Sequence, residues 1–498
     1  MQSAAISGAR YLAMDVGSEH AVPIERADRF FLLVGGALCA VAAVLPLIWR
    51  LLQPLAVTPW EAQIAMEGVR FSAGLPLYEQ GHATHLYGPL LSVVLGLIFK
   101  VAGLSLVAAR AIFSVAGIGL ALLLALVACR TRSRESVLLA SLFFLALGWR
   151  TNFVFYSTQP DCLAALFAIV GLLVWIKGKR ALSRFVLGLA LLLCAMLFKQ
   201  TSAAFSLIPL VHILLWERPL EPRKLFAAMI PPIFLLLALL TIAFAWPQLF
   251  AGLVIAPARL KVHYDQFAPM FVYLLGTFPL FFLALFLLLG SGRAVDRRER
   301  WIISANVVLI PISVWTTIKS GGGLNSLLFA YLAMAALVAS QLERIFTNKK
   351  ILDGRRVFGL VTFFMALLCS LFFQYQNSLS VLFLQLGDDK YERVVALARE
   401  FGPGVVSPQD TTIAFRANGY IGRSLFLELD RHSIGGGWPP VLPESMKQEL
   451  ANARYIIELQ CYVPTPMFHD ALVAQGFERE SVPALESSAY TLWARRKN

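Results

Sequence analysis

Charge is what this sequence has least of. Of its 498 residues only 15% are charged and 58% are hydrophobic, with a mean hydropathy of +0.69. Soluble domains carry about 25% charged residues, so a soluble enzyme and a disordered chain are both excluded. Cysteine is also sparse. The six stand at Cys39, Cys129, Cys162, Cys194, Cys369 and Cys461, none in Cys-x-x-Cys spacing. Neither a zinc site nor a disulfide framework is signalled. Gly-x-Gly-x-x-Gly and Gly-Lys-Ser/Thr loops are missing, so no nucleotide-phosphate loop is encoded. The first 28 residues lack the short apolar core and cleavage site of a signal peptide.

What is present is a series of long apolar runs. The first, Phe30 to Ile48, is long enough to span about 30 Å of hydrocarbon. Ten more can be drawn at 106–128, 136–150, 160–176, 182–198, 201–216, 224–246, 270–290, 301–318, 325–342 and 357–377. The net charge of +13 follows these runs. Residues 388–498 hold 12 Lys/Arg against 14 Asp/Glu, so the surplus lies in 1–387, mostly in short loops. A basic nucleic-acid face is therefore not expected. Five alternate loops, around Arg130, Lys179, Arg223, Arg298 and Lys350, carry 19 basic residues, and the intervening short ones carry five. The richer set is expected to be cytoplasmic. Gly88 to Gly103 is short and contains Lys100, so it reads as a half-embedded helix rather than a crossing. The N-terminus is then inside and the end of the chain outside.

The expected fold is a polytopic α-helical membrane protein with about 11 transmembrane helices and outer-face juxtamembrane helices, plus a small C-terminal α/β domain. The expected boundaries are 1–28 for a cytoplasmic segment, 29–380 for the membrane domain with an outer loop at 53–105, and 381–498 for the soluble domain. In the last, Tyr391 to Phe401 has helical spacing. Gly404-Val-Val-Ser-Pro, Ala453 to Leu459 and Ala489 to Trp493 read as strands, and Gly476 as a helix stop.

Ionisable groups in or beside spans are costly and are functional candidates. Here they gather on the expected outer side: Glu61, Glu67, His82, His85, Arg110, Asp161, Lys199, His263, Asp265 and Lys319. A transporter would instead place charge near the midplane on broken helices. Glu61 opens a helix that stops at Gly74, and it suits either a general base or an acid favoured by the helix dipole. Asp161, in Tyr156-Ser-Thr-Gln-Pro-Asp161, has the same two readings. Lys199, followed by Gln200, is either a site cation or a snorkelling lysine. Lys319-Ser-Gly-Gly-Gly-Leu-Asn325 is either an anion-binding loop or a tight turn. His82 with His85, and His263 with Asp265, are open to metal or substrate contact but read more simply as solvated side chains.

Taken together, the order of these pieces resembles the GT-C superfamily of polyprenyl-phosphate-sugar glycosyltransferases. The nearest groups are the bacterial relatives of the protein O-mannosyltransferases and of the lipid A aminoarabinose transferases. Residues 29–345 carry the resemblance. Trp60-Glu61 followed by Gly74-Leu-Pro-Leu-Tyr78 is similar to the family's acidic pair and helix end, with Trp60 in place of the first acid. Tyr87-Gly-Pro-Leu90, Arg110, Asp161, Lys199-Gln200 and Gly321-Gly-Gly-Leu-Asn325 resemble its later elements, although Ser326 stands where a tyrosine is usual.

The resemblance implies a glycosyltransferase that moves a hexose or pentose from a polyprenyl-phosphate donor to an acceptor hydroxyl, with inversion. Glu61 would be the general base, and Arg110, Lys199 and Gln200 would hold the donor phosphate. Glu67, His85, Tyr87, Asp161, His263, Asp265, Lys319 and Asn325 are candidates for substrate contact. The implied partners are the polyprenyl-phosphate sugar, membrane lipids and a lipid, glycan or protein acceptor, with no nucleic acid. No residue set demands a metal, and a divalent cation is left open as cofactor. The implied place is a bacterial inner membrane, with the C-terminal domain periplasmic or extracellular. The alternative is a transporter or lipid flippase with an accessory domain.

Overall fold

The computed structural model describes residues 26–496, apart from 53–58, 79–85, 131–133, 152–153, 178–181, 291–293, 348–389, 433–438, 460–465, 487 and 489. The apolar stretch at 357–377, Cys369, Cys461, His82 and His85 lie outside the described residues. A helical bundle up to residue 347 is followed by a small α/β unit from residue 390.

In the bundle, apolar composition makes helix the only element that satisfies its backbone in hydrocarbon. Helix α1 (Arg26–Leu52) is followed by α2 (Pro59–Ser72), α3 (Pro89–Ala102) and α4 (Leu106–Ala128). Helix α2 stops at Gly74, whose φ is +73°, as expected from the sequence. Helix α3 covers the segment read as half-embedded, and its 14 residues reach only about 21 Å. Helices α6 (Asp161–Lys177) and α7 (Leu182–Phe198) form a tight hairpin. A side chain at Gly188 would strike the Trp175 backbone at 2.7 Å, so glycine is what lets the two helices approach.

Several expected crossings take a different form. By length and composition, five helices among the described residues can cross a membrane, and one bent pair could make a sixth crossing. Four shorter apolar helices accompany them. The run at 136–150 is a 13-residue helix, α5 (Arg134–Ala146), that tightens into a 3-10 turn at Leu147–Thr151. The run at 201–216 starts as the 3-10 helix Gln200–Leu207 before Ile208–Trp216 becomes α-helical. The run at 270–290 is broken into Phe267–Gly276 and Pro279–Leu289, bent by 76°. Pro279 cannot donate into the preceding turn. The Thr277 hydroxyl serves the break instead, bonding the Leu274 carbonyl at 3.1 Å and the Tyr331 hydroxyl at 2.9 Å.

The bundle has two chemically distinct ends. At one, the Arg130 amide donates to Glu343, and Arg298 donates to the Ala128 carbonyl at 3.4 Å. Gln341 donates to Glu299 at 2.8 Å there, and Asp296 with Glu299 forms a capping box on helix Arg297–Thr317. Arg130 and Arg298, from two of the basic loops, lie at this end. Arg110, Asp161, Lys199, Lys319 and Asn325 all belong to the opposite end, because each lies at the other terminus of a helix touching that first end or paired with one that does.

The C-terminal sheet has four strands, β1 (Val405–Val406), β2 (Tyr455–Leu459), β3 (Phe477–Glu480) and β4 (Tyr490–Arg495), in the order β1-β2-β4-β3. The β1–β2 pair is parallel and the others antiparallel, with Ile456 opposite Trp493. Side chains alternate between faces. Ile456 and Trp493 pack with Leu425, Leu429, Met446 and Phe468, whereas Ile457 and Leu492 pack with Tyr391, Val394 and Ile413. Helices cover both faces. Three of them, Thr411–Asn418, Leu425–Arg431 and Glu444–Asn452, and strand β3 were not expected from the sequence.

Candidate active site

Glu61 lies in the first turn of α2 and Arg110 at the start of the second turn of α4. Both are buried, and the arginine is fully so. Arg110 Nε donates to Glu61 Oε1 at 2.9 Å and Nη2 to Oε2 at 2.7 Å. This is the bidentate fork that a guanidinium makes with a carboxylate. Nη1 reaches the Arg50 carbonyl at 3.1 Å, and the Thr158 hydroxyl lies 3.4 Å from Oε1. The arginine assigned by resemblance to the donor phosphate is therefore joined to the carboxylate assigned as base.

The second charged pair lies at the open ends of the α6–α7 hairpin. Lys199 Nζ is 2.5 Å from Asp161 Oδ1, with both side chains buried. The ammonium also lies 5.8 Å from the centre of the Tyr87 ring, within cation–π range. Gln200 donates to the Leu86 carbonyl at 2.9 Å, and the Tyr78 hydroxyl to that of Tyr87 at 2.5 Å. Gly88 fixes this approach. A β-carbon there would sit 1.8 Å from the Leu197 carbonyl oxygen, so only glycine lets the Tyr87 loop lie on the end of α7.

Tyr87 is the hub of the second cluster. Asn325 hydrogen-bonds its phenol, while burial and the nearby charges of Asp161 and Asp430 push that phenol above its usual range. Asn325 is thus brought to the site despite its changed neighbour, Ser326. Near the two pairs in sequence, the side-chain amide of Gln63, the hydroxyls of Tyr156 and Ser202, and Oε1 of Gln159 are buried without a hydrogen-bond partner among the described residues. Buried polar groups ordinarily have partners, so these can accept or donate to substrate or water. Gln63 and Ser202 were missed from the sequence. Only a polar residue beside Glu61, and another just after Lys199-Gln200, hinted at them.

The remaining candidates have other partners. His263 Nε2 lies 3.1 Å from Ser320 Oγ, and two backbone bonds join the loops: His263 N–H to Ile318 O at 3.0 Å and Ser320 N–H to Lys261 O at 2.9 Å. Lys319 donates to the Pro257 carbonyl at 3.3 Å, and burial lowers its pKa. Asp265 is exposed and accepts from Gln266 at 2.9 Å. Glu67 is buried on α2, where its charge acts on Tyr78. The three glycines make a tight turn, since a β-carbon at Gly322 would strike the Thr317 carbonyl at 2.4 Å. Among the described residues no cluster of three or more His, Cys, Asp and Glu could hold a metal.

Comparison with protein-family models and with curated proteins gives no match. Among solved structures, the crystal structure of ArnT from Cupriavidus metallidurans bound to undecaprenyl phosphate matches over 94% of this chain and 97% of that one. The TM-score is 0.54 at 13% identity. The chain shares the fold of ArnT. Agreement over nearly the full length of both chains includes the C-terminal α/β unit as well as the bundle.

Proposed function

We propose that this protein is a membrane glycosyltransferase that moves a sugar from a polyprenyl-phosphate donor to an acceptor hydroxyl. The observation that carries the reading is the presence of two buried ion pairs, Glu61–Arg110 and Asp161–Lys199, linked through Thr158, which bonds Glu61 and lies three residues before Asp161, with Lys199 over the Tyr87 ring. The fold shared with ArnT, whose structure holds undecaprenyl phosphate, supports the donor class.

In this reading the acceptor oxygen attacks the anomeric carbon as the bond from that carbon to the phosphate oxygen breaks, and the configuration inverts. Glu61 takes the acceptor proton. The leaving polyprenyl phosphate gains negative charge, which Lys199 and Arg110 balance, a form of stabilisation that often dominates catalysis. In the resting site both Glu61 oxygens are occupied by bonds from Arg110. A donor phosphate that draws Arg110 toward itself would loosen those bonds and free the carboxylate when the acceptor is in place. The reaction would take place at the outer surface of a bacterial cell membrane, with the basic loops inside.

The test is release of polyprenyl phosphate from a panel of polyprenyl-phosphate hexoses and pentoses supplied to the full chain in membranes. Glu61→Gln is expected to slow release by roughly 100-fold or more, the range of general-base contributions. An unchanged rate would remove Glu61 from the mechanism. In parallel, Ser320→Cys should react with an impermeant thiol reagent from outside and Val295→Cys only after lysis. The reverse pattern would overturn the orientation.

A further inference from the structure

The helix Leu425–Arg431 in the C-terminal α/β unit is two-faced. Ser424 caps it, accepting from the Leu427 amide at 3.3 Å. Leu425 and Leu429 enter the core beside the sheet. Residues four apart share a helix face, so Phe426 and Asp430 share the adjoining one. Phe426 is almost completely buried, yet it is not in that core. It stacks on Trp60 of α2, centroids 5.0 Å apart and planes inclined by 23°. Trp60 is the residue next to Glu61, at the position where the family resemblance expects an acid. Phe415 and Ile421 from the same unit pack on the bundle's hydrophobic core. Asp430 is half-buried and one turn beyond Phe426, and its charge is among those that raise the Tyr87 phenol.

The unit is also stiffened behind this helix. Buried Glu428 accepts from Arg423 at 3.1 Å and from Ser445 at 2.8 Å. Glu449 accepts the Arg423 amide at 2.8 Å. The helix is therefore held from both sides, with Phe426 seated on Trp60 next to Glu61.

We propose that the C-terminal unit completes the active site, with Asp430 as a specificity-determining residue. This rests on the donor reading above. A carboxylate on this wall accepts hydrogen bonds from saccharide hydroxyls and repels phosphate charge. A sugar-bearing donor is a phosphodiester with one negative charge, whereas the bare polyprenyl phosphate left after transfer is a monoester that can carry two. Asp430 thus favours the loaded lipid over the spent one and helps discharge the product. Trp60 and Phe426 hold the wall in place.

The experiment uses the full chain in detergent micelles titrated with undecaprenyl phosphate. Asp430→Asn is expected to bind this probe roughly threefold tighter at low salt, with the gain shrinking as salt screens the charge. In a Phe426→Ala background the same substitution should change nothing, because the wall has lost its seat. A residue with a merely structural role would weaken binding on mutation. Weaker or unchanged binding in Asp430→Asn overturns the assignment. The seat itself is read by hydrogen exchange, independently of any lipid. Phe426→Ala should speed exchange in 59–72 while leaving β2 and β4 protected, and unchanged exchange in 59–72 would overturn the proposed docking. If undecaprenyl phosphate binds neither the wild type nor Lys199→Ala, the donor reading fails and takes the role of Asp430 with it, while the exchange result still decides the docking.

Discussion

The Glu61–Arg110 pair has both a structural and a chemical part in this protein, and mutation can separate them. Arg110 is completely buried and gives two hydrogen bonds to Glu61 and one to the Arg50 carbonyl. Glu61→Ala leaves a guanidinium without its counter-charge in a site with little water. Breaking a buried pair in this way costs about 3–5 kcal/mol. Arg110→Met should cost a similar amount, since it strands the carboxylate. Replacing both, as Glu61→Leu with Arg110→Met, removes the two charges together. The double variant should then lose much less than the sum of the single losses, because an apolar pair of similar volume is often neutral. The Arg50 carbonyl still loses its donor, at about 1 kcal/mol. The assay is denaturant unfolding of the full chain in mixed micelles, with sugar release measured alongside. Both singles should be unstable and inactive, and the double variant stable and inactive. Additive losses, or single losses below about 1 kcal/mol, would refute a tightly coupled buried pair. A stable double variant that still transfers sugar would refute the chemistry.

Three further outcomes follow from geometry already described. Gly88→Ala puts a β-carbon 1.8 Å from the Leu197 carbonyl oxygen, so the Tyr87 loop or the end of α7 must move by about 1.5 Å. Sugar release should fall roughly 100-fold, as misplacements of that size do, and a wild-type rate would show that the contact relaxes freely. Lys199→Met leaves Asp161 buried beside an apolar chain, and undecaprenyl phosphate binding should weaken at least about tenfold. Equal affinity in a titration would take Lys199 out of the donor site. In the α/β unit, burial raises the Glu449 carboxyl from 4.5 to about 7, opposed by its bonds to Arg423. The folded state then holds a proton that the unfolded chain has already lost, so the contribution of Glu449 to stability is greatest below pH 4.5 and declines as pH rises to about 7. The decline has an upper bound of about 3 kcal/mol. Unfolding at pH 5 and pH 8 should show a smaller difference in Glu449→Gln than in the wild type, and an equal difference would refute the assignment.

Much of the local structure was legible because its causes are local. The stop of α2 at Gly74, the stop at Gly476 and the strands around Ile456 and Leu492 follow from backbone freedom and alternation. Glu61, Asp161 and Lys199 stood out because a charge beside a span is expensive wherever it ends up. Their pairing was not legible, because each partner comes from another helix and spacing says nothing about which ends meet. The bend at Pro279 was hidden by an unbroken apolar run, in which hydropathy outweighs a single missing donor. The helices of the α/β unit are short and carry mixed faces. Asp410 before Thr411 and Gly419 after Asn418 were the available cap signals for one of them. The Trp60–Phe426 stack joins distant parts of the chain, and the sequence registered it only as a missing acid.

The order of the two ion pairs along the chain bears on how such a protein is made. In both, the acid is synthesised first: Glu61 before Arg110 and Asp161 before Lys199. Chains enter their folding environment from the N-terminus. A carboxylate that reaches a low-dielectric setting alone can take up a proton and wait as a neutral group, but an arginine keeps its charge. Acid-first order means that each cation arrives to find its partner already placed. Inverting the order by exchanging Glu61 with Arg110 would keep the same two side chains and the same ion pair. It would also send an uncompensated cation ahead during insertion, a burden on yield rather than on the stability of the finished fold.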